Sequence, residues 1–116
     1  MKMDKLIKIL KALSDINRIR ILKMLEVKPL CVCEITKILG LAASTVSQHL
    51  SILKKAGFIF DLKENKYVNY YLNERSQQMY LKDLIPLIQK WLPDEKIIIQ
   101  DKEQVKVIDR DNICGI

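Results

Sequence analysis

Residues 31–57 place two runs of helical periodicity on either side of one glycine, and few folds accept that arrangement. Between Cys31 and Leu39 the apolar residues Cys31, Ile35, Ile38 and Leu39 share one stripe, which predicts a short helix. Gly40 can take the left-handed conformation that closes a helix and turns the chain within three or four residues. Beyond it, ASTVSQHLSILKKAG reads as a longer helix ending at Gly57, with Val46, Leu50 and Leu53 at i, i+4 and i+7 facing a core. Short helix, tight turn and longer helix form a helix-turn-helix outline.

With those residues inside, Ser44, Gln48, Ser51 and Lys55 line the outer face of the longer helix. A generic solvated face carries Glu and Lys, whereas this one carries hydroxyls and an amide. Gln48 can pair bidentately with adenine, and Ser44, Thr45 and Ser47 can reach bases or phosphates near the helix start, so the expected role is DNA contact. His49 adjoins the core edge, where it either touches DNA or hydrogen-bonds within the domain.

After Gly57, FIFDLK and KYVNYYL are rich in aromatic and β-branched residues around Glu64 and Asn65, which predicts an antiparallel hairpin, a wing. Lys63, Lys66 and Tyr67 at its tip suit the phosphate backbone or minor groove, and Arg18, Arg20 and Lys54 could add phosphate contacts. Upstream, residues 4–13 read as a helix with Leu6, Ile7, Leu10 and Leu13 on one stripe. Asp15 can cap a second helix whose Ile19, Ile21, Leu22 and Leu25 face inward, and Pro29 ends it. Residues 76–92 are apolar at Leu81, Leu84, Ile85, Ile88, Trp91 and Leu92. A stripe that wide exceeds what one small protomer covers, so the segment is expected to be a dimerisation helix, bent or split at Pro86. The fold class is therefore mainly α with a small β-hairpin wing, a homodimeric winged helix-turn-helix. Residues 1–92 form its DNA-binding and dimerisation domain, and 93–116 form a tail with two β-type runs, 97–99 and 105–108.

Composition narrows the function. A chain of 116 residues, 49% hydrophobic and 29% charged, has room for one core and enough apolar material to fold it. No apolar run approaches the ~18 residues of a membrane span, so a cytoplasmic protein without a membrane partner is expected. Net charge is +6, and residues 1–58 hold 11 basic against 4 acidic side chains, while residues 93–116 hold 4 against 6. A basic N-terminal half that also carries a helix-turn-helix pattern fits a polyanion partner. The three cysteines, 31, 33 and 114, do not resemble a secreted disulfide framework and are expected to be thiols. No nucleophile–base pair, phosphate loop or carboxylate dyad is visible, so an enzyme is not expected, nor is an organic cofactor.

ALSDINRIRIL, PLCVCEITKILGL, STVSQHLSILKKAGFI and a hairpin ending YVNYYL together resemble the ArsR/SmtB family of winged-helix metalloregulatory repressors over about residues 10–72. The resemblance implies a homodimer that sets two recognition helices into successive major grooves of an inverted-repeat operator, represses when free, and lets go when an inducer ion binds. Two departures stand out: family members often have Pro where Ile16 stands and Ser where Ala42 stands, so the cap of the recognition helix is expected either to be weaker or to be supplied by Ala43 or Ser44. Arsenite- and antimonite-responsive members commonly read C-x-C-x-x-C through this region, and their third cysteine falls at Thr36. Cys31 and Cys33 are thus the implied ligands for As(III) or Sb(III), with Cd(II), Pb(II) or Zn(II) as alternatives, and Cys114 is the remaining candidate for a third thiolate. The zinc or nickel site on the fifth helix of some members needs histidines, and this chain has only His49.

On a regular helix residues i and i+2 point to nearly opposite sides, so Cys31 and Cys33 can share an ion only if the helix start is distorted, which would couple binding to shape. Cys31 alone would be ordinary core packing, but Cys33 shares a side with Lys37, where an exposed thiol has no packing purpose. Two other readings remain: a redox or persulfide sensor of the same fold in which Cys33 and Cys114 join, and a winged helix that binds protein and not DNA.

Overall fold

The structure, a computed structural model, describes residues 2–114. Its elements follow in the order α1 (Lys2–Leu13), α2 (Ile16–Leu25), α3 (Val32–Leu39), α4 (Ala43–Ala56), β1 (Ile59–Glu64), β2 (Tyr67–Leu72), α5 (Met79–Lys90), α6 (Lys96–Val107) and α7 (Arg110–Cys114). The expected mainly helical winged helix-turn-helix is what the chain adopts. Among the described residues no helix is long and apolar enough to cross a membrane.

Local chemistry explains the boundaries. The Asp15 carboxylate accepts the backbone N–H groups of Asn17 (2.8 Å) and Arg18 (3.1 Å), closing the start of α2. Burial pushes that carboxyl up, but these two N–H groups, together with the neighbouring His49 and Arg18, bring it below its ordinary value. Gly40 ends α3 at φ 70°, its N–H returning to Thr36 O at 2.9 Å. Gly57 ends α4 at φ 96°, and a Cβ there would sit 2.7 Å from Leu81 Cδ1, so this corner needs glycine for its backbone and for its closeness to α5. The hairpin pairs Ile59 with Leu72 through to Glu64 with Tyr67, and Asn65 takes a left-handed conformation in the turn.

One core joins Ile21, Leu22 and Leu25 of α2, Ile35 and Ile38 of α3, and Val46, Leu50 and Leu53 of α4 to Phe58 and Ile59 of the hairpin and Leu81, Ile85 and Ile88 of α5. In α1 the inward face differs from the expected one. Ile9 and Ala12 are fully buried, whereas Ile7 and Leu10 are 44% and 43% exposed. Apolar residues at 6, 7, 9, 10 and 13 offer two overlapping stripes, and packing chose the one containing Ile9.

α5 neither splits nor stops at Pro86, which lies inside it and is exposed, as is Lys82, whose carbonyl the proline leaves without its helical donor. Its start is closed by the Gln78 side chain, which accepts from the N–H groups of Tyr80 (2.8 Å) and Leu81 (3.0 Å). Its end is closed from α2. The ammonium of Lys23, 2% exposed, donates to Ile88 O (2.8 Å) and Trp91 O (2.7 Å) and sits 2.9 Å from a Glu26 carboxylate oxygen. A cation on the last carbonyls of a helix is also favoured by the helix dipole.

The tail corrects the expectation of β-type runs. Residues 97–99 and 105–107 lie in α6, and Ile108 caps it. β-branched residues favour strands only weakly, and here Ile98, Asp101 and Val105, at i, i+3 and i+7, turn one buried face to the domain. Arg20 of α2 holds Asp101 bidentately at 2.8 and 2.9 Å, and Lys102 bonds Glu26 at 2.8 Å. Replacing Lys23 by Met leaves α5's terminal carbonyls and Glu26 without their buried partner, and should cost about 3 kcal/mol in urea unfolding. A loss below about 0.5 kcal/mol would show that this cap does not hold α5.

Candidate nucleic-acid interface and thiol site

The α3–Gly40–α4 unit presents α4 as expected. Val46, Leu50 and Leu53 are buried, while Ser44, Thr45, Ser47, Gln48 and Lys55 are exposed and Ser51 is half-buried. Ala42 is the N-cap and supplies no side-chain bond, so the first N–H groups of α4 are uncapped, as the departure at this position suggested. Lys63 and Lys66 are exposed at the hairpin tip.

Several basic residues have work inside the chain. Arg20 is bound to Asp101, and this bond pushes its guanidinium further up, so it is not the phosphate contact the sequence suggested. Arg18 donates to the carbonyls of Ala12 (2.7 Å) and Lys11 (3.2 Å), closing the end of α1. His49 Nδ1 lies 3.2 Å from Arg18 Nη1, so His49 contacts this anchor within the domain. Lys54 pairs with Asp61 at 3.0 Å.

Tyr67 meets the tail. Its hydroxyl donates to Asp111 at 2.7 Å, a bond that pushes the phenol up to about 12, and the Arg110 guanidinium lies 4.4 Å from the ring centre. Arg110 also reaches Asn69 Oδ1 of β2 at 2.9 Å and the buried Glu34 carboxylate of α3 at 3.3 Å. α7 thus bridges the third helix and strand β2 of the wing, near the hairpin tip.

The cysteines differ from the expected pair. Cys31 is not in the helix: it is the N-cap of α3, extended at φ −92° and ψ 168°, buried, and locked in a capping box in which its N–H donates to Glu34 at 3.0 Å. Burial pushes its thiol up. Because only Cys33 is helical, the two side chains are not the opposed i and i+2 pair of a regular helix that their spacing predicts. Cys33, in the first turn of α3, is bonded in a disulfide to Cys114 of α7, with Cα atoms 6.0 Å apart. The expectation of three thiols fails for these two, because α7 folds back over α3, and the pairing required by the redox reading is the one present. Among the described residues no group of three or more His, Cys, Asp or Glu is arranged to hold a metal ion. One further contact bears on this site. Leu30, next to Cys31, pairs with Tyr70 of β2 through two backbone hydrogen bonds, of 2.8 and 3.3 Å, tying the cysteine segment directly to the wing.

Residues 15–60, from the cap of α2 into β1, match the bacterial regulatory proteins of the arsR family. An uncharacterized HTH-type transcriptional regulator of Methanocaldococcus jannaschii is 43% identical over 72 residues, 61% of this chain and 81% of that protein. An arsenic resistance transcriptional regulator of Pseudomonas putida is 34% identical over 91 residues, 74% of this chain and 71% of that protein. This chain belongs to the ArsR family. The homodimeric winged helix-turn-helix DNA-binding domain of a possible ArsR-family regulator from Mycobacterium bovis superposes with a TM-score of 0.64 at 25% identity, over 76% of this chain and 78% of that one. Like the rest of the ArsR family, the chain is a DNA-binding transcriptional regulator and not an enzyme.

Sequence reading missed Arg110 and Asp111 as partners of this ArsR chain's wing and third helix. No local signal could have found them, since their partners lie 41 and 44 residues away. Replacing Ala42 by Ser supplies the absent cap and should raise stability by about 1 kcal/mol, read as a higher melting temperature. An unchanged melting temperature would mean that the first turn of α4 already has its donors satisfied.

Proposed function

We propose that the chain is a homodimeric repressor that holds an inverted-repeat operator when free and releases it when the thiolates of Cys31 and Cys33 bind a thiophilic ion, As(III) or Sb(III) first. The observation that carries the DNA half is the outward face of α4, where exposed Ser44, Thr45, Ser47 and Gln48 back onto the buried Val46 and Leu50. Lys55, Lys63 and Lys66 add phosphate contacts on the same reading. The dimer half rests on Met3, Ile7 and Leu10 of α1, Met79 and Leu87 of α5 and Trp91 at its C-cap, large apolar side chains left exposed on or beside two helices that contact each other. The neighbouring Mycobacterium domain is itself homodimeric.

For the ion, the arsenic resistance regulator among the relatives and the C-x-C pair support a trivalent metalloid. Soft thiolates select such ions. Two changes must precede binding: the Cys33–Cys114 bridge must be reduced, and Cys31 must leave its buried capping position. Leaving it breaks the capping box of α3 and pulls on the Leu30–Tyr70 pairing beside it, so ligation is transmitted to the wing as well as to the helix ahead of the reader. An ion that gains its sulfur bonds only in that displaced state shifts the population toward it.

The disulfide favours a second reading, in which oxidation of Cys33 and Cys114 is itself the releasing signal and a reductant restores DNA binding. Fluorescence anisotropy of reduced protein on inverted-repeat DNA separates the two. Arsenite should lower affinity by about two orders of magnitude, a coupling of a few kcal/mol, and Cys33→Ser should keep DNA binding but lose this response. If release survives in Cys33→Ser, the ion binds elsewhere. Gln48→Ala should weaken discrimination between specific and random sites by about 1–3 kcal/mol. Lys55→Ala should lower the slope of log affinity against log salt by about one. Unchanged specificity in the first variant would overturn the assigned reading face.

A further inference from the structure

The same cysteine that the proposed function gives to the inducer is the one the fold gives to α7. We propose that the Cys33–Cys114 disulfide is a redox gate on the inducer site: when closed, it withdraws Cys33 from any thiophilic ion and pins α7 across α3 and the wing, so the oxidised repressor keeps its operator and is deaf to the ion. The inference rests on the function proposed above.

Three observations carry it. First, a sulfur in a disulfide has no thiolate to offer a metal, and Cys31, left alone, is buried as a helix cap. Second, the bridge is not a chance encounter at the end of a loose chain. α7 is seated on its own account by Arg110, which spans Glu34 of α3, Asn69 of β2 and the Tyr67 ring, and by Asp111 on the Tyr67 hydroxyl. These contacts need no disulfide, so the reduced chain still holds Cys114 opposite Cys33 at high effective concentration. Third, the parts that α7 clamps are those that inducer binding must move: Glu34 completes the Cys31 cap, and β2 pairs with Leu30. A covalent tie between α7 and α3 therefore opposes that displacement twice, by removing a ligand and by fixing the segment it would distort.

The oxidant is a peroxide. One cysteine thiolate attacks a peroxide oxygen, the O–O bond breaks, and hydroxide leaves to take up a proton as water, giving a sulfenic acid. The second thiolate attacks that sulfur, its S–O bond breaks, and a second water leaves. In sum, two thiols and one hydrogen peroxide give one disulfide and two waters, the sulfurs losing the two electrons that the peroxide gains. A dithiol reverses the step by exchange.

The test uses the full chain in three states: reduced, oxidised with stoichiometric hydrogen peroxide, and oxidised then re-reduced with dithiothreitol, with the bridged 33–114 peptide verified by mass spectrometry. Each is incubated with arsenite, desalted and assayed for bound arsenic, and in parallel titrated onto operator DNA with and without arsenite. The gate predicts arsenic uptake by the reduced and re-reduced chain, loss of uptake in the bridged chain, and bridged protein that binds operator equally well with and without arsenite. Equal uptake by bridged and reduced protein overturns the gate, as does loss of operator binding on bridging alone. Uptake that fails to release DNA from the reduced chain defeats the proposed function and leaves the gate to be judged by uptake. No uptake in any state defeats both.

Discussion

Much of the architecture depends on one face of α2. Arg20, Lys23 and Glu26 recur every three residues along it, and each bonds a part of the chain that comes more than sixty positions later: Asp101, the end of α5, and Lys102. A buried lysine and a buried aspartate are costly unless partnered, and here Lys23 has the end of α5 and Glu26 while Asp101 has Arg20. The consequence is that the C-terminal third is not an appendage to the winged helix. It is fixed to the same helix that supports the core, and so α7 arrives at α3 and the wing in a defined place.

Where the sequence was legible, the reason was local. The turn at Gly40, the three inward residues of α4 and the Asp15 cap all follow from spacing and conformational preference within a few residues. The hairpin was legible for the same reason. Where reading failed, the deciding contact was distant or two local patterns competed. Ile97 to Ile99 look like a strand until Asp101 and Val105 are seen to share a buried helical face with Ile98. Pro86 looks like a break until its solvent exposure and the lysine cap downstream are taken into account.

The thiol site was legible in part. Cys31 and Cys33 were identifiable as a pair by spacing and chemistry, but their relationship was not, because the boundary of α3 falls between them. One residue's shift in a helix start changes a pair of opposed helical side chains into a buried cap followed by a bridged first-turn residue. Arg18 and Arg20 show the limit of charge counting: both sit in the basic half of the chain, yet both point into the fold, and the positive face available to DNA is smaller than the net charge suggests.

The span of the disulfide has an effect beyond the sulfurs it joins. Its ends are 81 residues apart, and the segment between them holds the reading helix, the wing and both long C-terminal helices. Tying such a long loop shrinks the unfolded ensemble by an amount that chain-entropy arguments put at about 4.5 kcal/mol. An oxidised molecule would thus be tougher as well as quieter, slower to feed proteases through transient opening, and able to outlast a chemical insult with its repressor supply intact.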